Sequence, residues 1–330
     1  MLSTHVPPER GTNATTVSRH SQVRRRRRIG RSSLRFYFFA SPWLLGFLVL
    51  TVFPLGYALM ISFTNFDGIS ERLHWVGFNN YLDVFHDTLA WAGLLRTVLY
   101  AVITVPCGIA GGLGLALLLN RRMRAVGLFR TIFYLPSVVP VVATAIMFQL
   151  MFDRDVGGIN AFIELFHGPA ISWLIDPTAF LVLIIMVLWG LGGGMIISLA
   201  GLQGVPAELL EAARVDGANA WYRFWRIILP MLSPVLFFQV VTNMIYALQT
   251  LVQPLLISPG GGAGQNVVAV PSGNQLYMVH VYAEFFYYQR FGYGSALLWV
   301  LFALILLITL LIFRSSALWV YYEIDQGGNN

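Results

Sequence analysis

Two sets of residues in this chain could do chemistry, and both interrupt an otherwise apolar sequence. The first is a group of charges, Glu208, Glu211, Arg214, Asp216, Arg223 and Arg226, within the segment 202–227. The second is neutral. Gln239, Asn243, Tyr246, Thr250 and Gln253 recur at steps of four, three, four and three, with Gln249 beside them. That spacing places them on one face of a helix. Carboxamides, a phenol and a hydroxyl offer donors and acceptors without charge, and aromatic faces stack on sugar C–H faces. The stripe therefore suits a wall along which a neutral polyol crosses a membrane. Interhelical hydrogen bonding alone, about 0.6 kcal/mol per contact, needs fewer such residues. Ser137, Gln149 and Trp189 are the candidates for the same pathway on neighbouring apolar segments.

The charged group is predicted to sit on an ordered knob. Pro206 suits the first turn of a short helix, where proline has no N–H to lose. Gly217 suits its end, because glycine takes the left-handed conformation past a helix terminus. Asn219 can cap a second helix that runs into the apolar segment from Ile228. A solvated connector does not need such order, so the helix–turn–helix reads as a docking element.

The elements that carry these residues are membrane spans. The chain has 330 residues, 57% of them hydrophobic and 11% charged, outside the soluble range. Apolar segments near 36–62, 93–119, 131–152, 177–201, 228–257 and 294–313 are each long enough to cross about 30 Å of hydrocarbon. Pro136, Pro140, Pro234 and Pro254 can kink or break them. All basic residues are arginine. Arg121, Arg122, Arg124 and Arg130 crowd the second connector, Arg214, Arg223 and Arg226 the fourth, and Arg314 follows the last span. The odd connectors hold Arg72, Arg154 and Arg290 and most of the acids, with Arg96 near a span edge. Six spans with both termini cytoplasmic satisfy this bias at every crossing. The run Arg24 to Arg28 then reads as an orientation signal within a disordered tail over 1–35, not as a nucleic-acid arm. Residues 36–315 form the spanning domain and 316–330 a short cytoplasmic tail. The aromatic stretch Leu276–Tyr288, after a glycine run at 260–264, reads as a helix in the headgroup region.

Several chemistries are missing. Every aspartate and glutamate lies outside the six apolar cores. Those near the membrane are Asp153, Asp176, Glu208 and Glu284. A carboxylate at a span centre costs about 2.5–3.5 kcal/mol or more and is kept where protons or ions are handled. Its absence argues against an ion-coupled transporter, although backbone carbonyls could still bind sodium. The histidines are scattered, Cys107 is the only cysteine, and no metal constellation is expected. A chain without lysine has no phosphate-binding GxxxxGK[ST] loop. Gly190-Leu191-Gly192-Gly193-Gly194 lies inside an apolar span and reads as close packing or local unwinding. Nucleotide chemistry must come from another chain.

Glu211-Ala212-Ala213, three residues, Gly217, nine residues, then Ile227-x-Leu229-Pro230 resembles the EAA loop of binding-protein-dependent ABC importer permeases. Ser41-Pro42-Trp43-Leu44-Leu45-Gly46 through Phe53-Pro54 to Ser62-Phe63-Thr64, the segment Trp75-Val76-Gly77-Phe78-Asn79-Asn80-Tyr81, and Gly292-Tyr293-Gly294-Ser295-Ala296 are similar to the carbohydrate-uptake branch. The resemblance covers about residues 36–315 and is to the first permease of a pair, as in maltose and glycerol-phosphate importers.

It implies an all-α, six-span type I ABC importer fold in a bacterial inner membrane, with a cytoplasmic coupling loop at 202–227. It implies a second homologous permease, two ATP-binding cassette ATPases and an extracytoplasmic sugar-binding protein. ATP and magnesium would be bound by the ATPases, with no cofactor in this chain, which is itself no enzyme. Glu208, Glu211, Ala212, Ala213, Arg214, Asp216 and Gly217 would seat the coupling helix on an ATPase. Tyr246, Gln249 and Thr250 fall nearest the sugar contacts of maltose-type members, with different side chains. The alternatives are a permease for glycerol phosphate or a peptide, and an ion-coupled secondary transporter.

Overall fold

The computed structural model describes residues 31–70, 73–121, 124–259 and 267–321. The tail over 1–30, the glycine run at 260–264, Arg72, Arg122 and residues 322–330 lie outside them. The helices in order are α1 Arg31–Phe47, a π-helical turn Leu48–Val52, α2 Phe53–Ile61, α3 Asn79–His86, α4 Thr88–Leu119, α5 Val126–Val138, α6 Val141–Met151, α7 Gly158–Leu165, α8 Ala179–Trp189, α9 Gly192–Gln203, α10 Ala207–Val215, α11 Ala220–Arg223, a π turn Phe224–Ile228, α12 Leu229–Leu248, α13 Val252–Ile257, α14 Tyr277–Phe286 and α15 Phe291–Trp319. Among the described residues β pairing is limited to an isolated antiparallel bridge, Thr64 with Trp75.

Four helical runs are long and apolar enough to cross a membrane: Tyr37–Ile61, Thr88–Leu119, Ala220–Leu248 and Phe291–Trp319. Two bent pairs, Val126–Val138 with Val141–Met151 at 94° and Ala179–Trp189 with Gly192–Gln203 at 42°, bring the count to the expected six if each pair is one span. The bends have identifiable causes. Pro140 holds Val139 in an extended conformation, ψ 131°, so the third span cannot continue through it. The fourth breaks at Gly190, within the glycine run read as a site of unwinding. Gly192 is required there, because a Cβ would strike the backbone oxygen of Phe133. Pro136 and Pro234 lie inside α5 and α12 without ending them. Several expected boundaries shift, among them that of the fifth span, which runs Ala220–Leu248. The second span starts at Thr88, capped by Asp87, α1 reaches back to Arg31 and α15 forward to Trp319.

The chain divides into two units, Met1–Leu55 and Gly56–Asn330. In the first, Trp43 stacks on Phe47 with ring centroids 5.7 Å apart. The second is built around α4, which packs against α8, α9, α12 and α14. One core at its N-terminal half gathers Tyr100, Ala101, Val105, Leu183, Leu248, Leu276 and Val279. Another at its C-terminal half gathers Leu113, Ala116, Leu119, Met195, Leu199 and Leu232. Gly112 lets α4 and α9 meet, since a Cβ there would lie 3.0 Å from the Gly194 carbonyl carbon and the Met195 nitrogen.

The odd connectors are braced by polar contacts within and between them. Asn80 donates to the carbonyls of Ser62 and Thr64, each at 2.8 Å. Asp87 accepts from Tyr293 Oη at 2.6 Å and pairs with His280 Nε2 at 2.9 Å. Asp176 accepts from Ser272 N and Oγ and from Gly273 N, at 2.7 to 2.9 Å. Burial works against ionising Asp176, but the Ser272 side chain, the two amides and Arg96 outweigh it and hold the carboxyl below its ordinary range. Elsewhere, Arg130 Nη2 donates to Leu119 O and Tyr321 N to Ser233 Oγ. The stretch Leu276–Tyr288 forms the expected helix, α14, and packs one face into the protein. Leu276, Tyr277, Val279, Val281 and Glu284 are buried. Tyr277 N donates to Thr97 Oγ1 and Tyr277 Oη to Leu297 O, tying α14 to α4 and α15.

Candidate functional site

The charged segment folds into the expected helix–turn–helix. Pro206 stands at the N-cap of α10, one step before the first turn. Glu208 lies in the first turn and Arg214 in the last, each at the end of the helix dipole that favours its charge. Gly217, at φ +78°, turns the chain, with Ala218 N donating to Ala213 O at 2.9 Å and Gly217 N to Arg214 O at 3.1 Å. Asn219 then caps α11, its side chain accepting from Tyr222 N at 2.8 Å. The helical run from Ala220 continues to Leu248. The turn is thus attached to the fifth span by an unbroken helix, with a π turn at Phe224–Ile228 where the two meet.

α10 has no buried residue. Val215 is 89% exposed and Trp221 71%. Glu208, Glu211, Arg214, Asp216 and Arg226 make no ion pair among the described residues. Arg223 alone turns inward, its Nη1 donating to Ala218 O. The surface presented is a mixed apolar and charged one whose charges, Arg223 apart, have no side-chain partner among the described residues.

The neutral stripe is assembled differently from the expected single helical face. α12 ends at Leu248 and the chain restarts as α13 at Val252, so Gln249 and Thr250 stand in the break. That break faces the one at Gly190 in the fourth span and the middle of α4. Between them is a cavity of about 410 Å³. Its polar lining is Tyr100, Thr104, Asn243, Tyr246, Gln249, Thr250 and Gln253, and the rest is apolar or glycine, including Gly108, Leu188, Leu191 and Gly194. None of the lining residues is an acid, an arginine or a histidine. Tyr246 is 74% exposed, whereas Tyr100 is 2% exposed and its hydroxyl faces Thr250.

Four of the pathway candidates do not line this cavity. Gln239 is fully buried and donates to Ser198 Oγ at 3.0 Å, because α9 covers that part of the stripe. Gln149 Nε2 reaches Ser258 O at 3.4 Å. Trp189 packs edge-on against Phe148 at 5.8 Å. Ser137 is exposed and donates to its own helix at Tyr134 O. For Gln239 and Gln149 the interhelical hydrogen-bond reading holds. Tyr100 and Thr104, on the second span, were not singled out by the sequence. Single polar residues in a long apolar helix carry no periodic signal.

Residues 108–323 match the family described as binding-protein-dependent transport system inner membrane component. This chain belongs to that family. It is a transport permease with several membrane spans. It is 38% identical over 306 residues to the probable ABC transporter permease protein YesP of Bacillus subtilis, covering 91% of this chain and 96% of that one. It is 32% identical over 296 residues to the lactose transport system permease protein LacF of Rhizobium radiobacter, covering 87% and 97%. The fold matches a chain of a bacterial alginate ABC transporter solved in complex with an alginate pentasaccharide-bound periplasmic protein. The TM-score is 0.76 at 19% identity, over 89% of this permease and 97% of that chain.

Proposed function

We propose that this permease forms half of the pathway of an ATP-driven importer for a neutral carbohydrate, and that its helix–turn–helix takes the stroke from an ATPase subunit. The observation that carries the substrate class is the cavity. Its polar groups are amides, hydroxyls and phenols without a charged residue, matched to a ligand that is rich in hydroxyls and has no charge to neutralise. Several relatives point the same way by name, including the lactose permease and the trehalose/maltose permease MalF of Thermococcus litoralis. A phosphorylated substrate would call for a cation at the cavity.

In this reading a second permease faces the exposed Tyr246 and completes the passage. Two ATPases on the arginine-rich side each receive one coupling helix, and they hold the ATP and magnesium. Glu211 and Arg214 give the exposed α10 its charge complementarity. Ala212 and Ala213 keep one side of it small, and Gly217 fixes the angle at which it leaves the fifth span. A sugar-binding protein docks on the face of the odd connectors. The protein sits in the bacterial inner membrane with both termini cytoplasmic, as the arginine bias requires. Because the helical run Ala220–Leu248 is unbroken, a pull that the Gly217 turn passes on from α10 is delivered to Asn243 and Tyr246.

The test is uptake by the reconstituted assembly. Replacing Tyr246 or Gln249 by alanine should raise KM for the transported sugar roughly 2- to 12-fold, the equivalent of one contact of about 0.5–1.5 kcal/mol, with assembly intact. Identical uptake profiles for both variants would remove the cavity from the pathway.

A further inference from the structure

A second polar cavity, about 370 Å³, opens where the first and last connectors meet. Its lining includes Asp83, His86, Asp87, His280, Glu284 and Arg290. Asp87 is the N-cap residue of α4, and His280 and Glu284 are one turn apart on α14. Asp87 Oδ2 lies 2.9 Å from His280 Nε2, and Glu284 Oε1 lies 4.0 Å from the same nitrogen. One ligand-capable atom from each of the three falls within 4.8 Å of the others. With the imidazoles neutral, three carboxylates face a single guanidinium, an excess of two negative charges.

We propose that Asp87, His280 and Glu284 form a binding site for a divalent transition cation of the zinc class. A zinc ion takes nitrogen and oxygen ligands at roughly 2.0–2.2 Å, which puts neighbouring ligand atoms about 3.4 Å apart in a tetrahedron. The observed 2.9 and 4.0 Å bracket that spacing, so small side-chain adjustments close the site. The ion would take the place of the hydrogen bond between His280 Nε2 and Asp87 Oδ2. An imidazole ligand selects for zinc, nickel or copper over magnesium and calcium.

Two further observations point to a ligand. Glu284 is 4% exposed and its Oε2 makes no hydrogen bond. Arg290 Nη1 stands 3.2 Å from that oxygen, outside hydrogen-bond geometry and itself half exposed, which leaves Oε1 directed at His280. A buried carboxylate held by one off-line surface arginine is under-coordinated. The Asp87 carboxylate, in contrast, is already oriented by outer contacts of the kind that position metal ligands. Its Oδ1 accepts from Leu89 N and Ala90 N, and its Oδ2 accepts from Tyr293 Oη. His86, in the same cavity, has Nδ1 bonded to the Leu82 carbonyl at 2.7 Å. A carbonyl only accepts, so Nδ1 is the donor there, and His86 lines the cavity outside the group of three ligand atoms.

The test uses the purified full-length permease in detergent, stripped with chelator and titrated with ZnCl₂ against a chromogenic competitor. Cobalt(II) serves as a spectroscopic substitute. We expect one saturable zinc per chain, visible cobalt d–d absorption, and at least a tenfold weaker affinity in His280→Gln and in Glu284→Gln, with His74→Gln unchanged. Glu284→Gln preserves shape and covers the case in which His280→Gln fails to fold. Absence of saturable binding, or equal affinity in folded wild type and both cavity variants, would overturn the site and leave the three residues as a clamp between helices.

Discussion

The connector ends of this permease are built on opposite plans. Where the first, third and fifth connectors meet, many polar groups are partnered within the chain, Glu284 Oε2 and Asn274 Oδ1 excepted. Asp87 binds Tyr293 and His280, Asp176 binds Ser272 and Gly273, and Asn160 bonds the carbonyls of Arg154 and Ile171 and accepts from Trp173 Nε1. In the fourth connector, α10 buries nothing and its charges make no ion pair among the described residues. A surface completed from within keeps its shape when other proteins come and go. A surface left incomplete is finished by a partner. In the proposed reading the first region holds the spans in register and the second receives force.

The largest effect should come from the incomplete region. Gly217 holds φ +78° with open space where a Cβ would go, so substitution there strains the backbone and meets no neighbour. Gly217→Val should cost at least about 1–2 kcal/mol at the turn and re-aim α10. We expect uptake by the full assembly to fall tenfold or more, with the melting temperature of the isolated permease barely changed. A normal uptake rate would mean that the angle of α10 does not matter.

The reverse pattern is expected at the self-satisfied region. Asp87→Ala removes a helix cap, about 0.5–2 kcal/mol. It also leaves His280 and Tyr293 without their acceptor, about 1–3 kcal/mol more. The melting temperature should drop clearly while the α10 surface is untouched. If this variant uncoupled transport without loss of stability, the division of roles would be wrong.

The smallest effect concerns Asp176. Its carboxyl is held below the ordinary range, so the clasp to Ser272 and Gly273 stabilises the folded state at neutral pH. That contribution persists down to about pH 4, where an unperturbed aspartate titrates, and fades as pH falls through the lower folded value. Asp176→Asn should melt below wild type at pH 7, with the gap closing in acid. A gap that widens in acid would contradict the clasp.

What could be read from the sequence divides by distance along the chain. The helix–turn–helix was legible because Pro206, Gly217 and Asn219 act within one or two turns of themselves. The six apolar segments were legible because length and hydropathy are local. The cavity was only half legible. The stripe pointed at Asn243, Tyr246, Gln249, Thr250 and Gln253, but it assumed a continuous helix and therefore included Gln239, which α9 buries. Pro254 was flagged as a possible break, yet nothing local showed that the chain would open at Gln249 to face Gly190. The partners of Asp87 stand 193 and 206 residues away, so no window along the sequence could join them. Aromatic content pointed to the helix α14 but not to its internal partners. Tyr277 and Tyr282 are spent on internal packing, and Tyr287 and Tyr288 are exposed.

The most direct measurement is sugar accumulation in proteoliposomes holding this permease, its partner permease and the binding protein, with and without the ATPase subunits. We expect accumulation with ATPases and ATP, its loss when α10 carries Glu211→Arg, and none when the ATPases are left out. Accumulation driven by an ion gradient in vesicles without ATPases would contradict the assignment of passage to this chain and power to another.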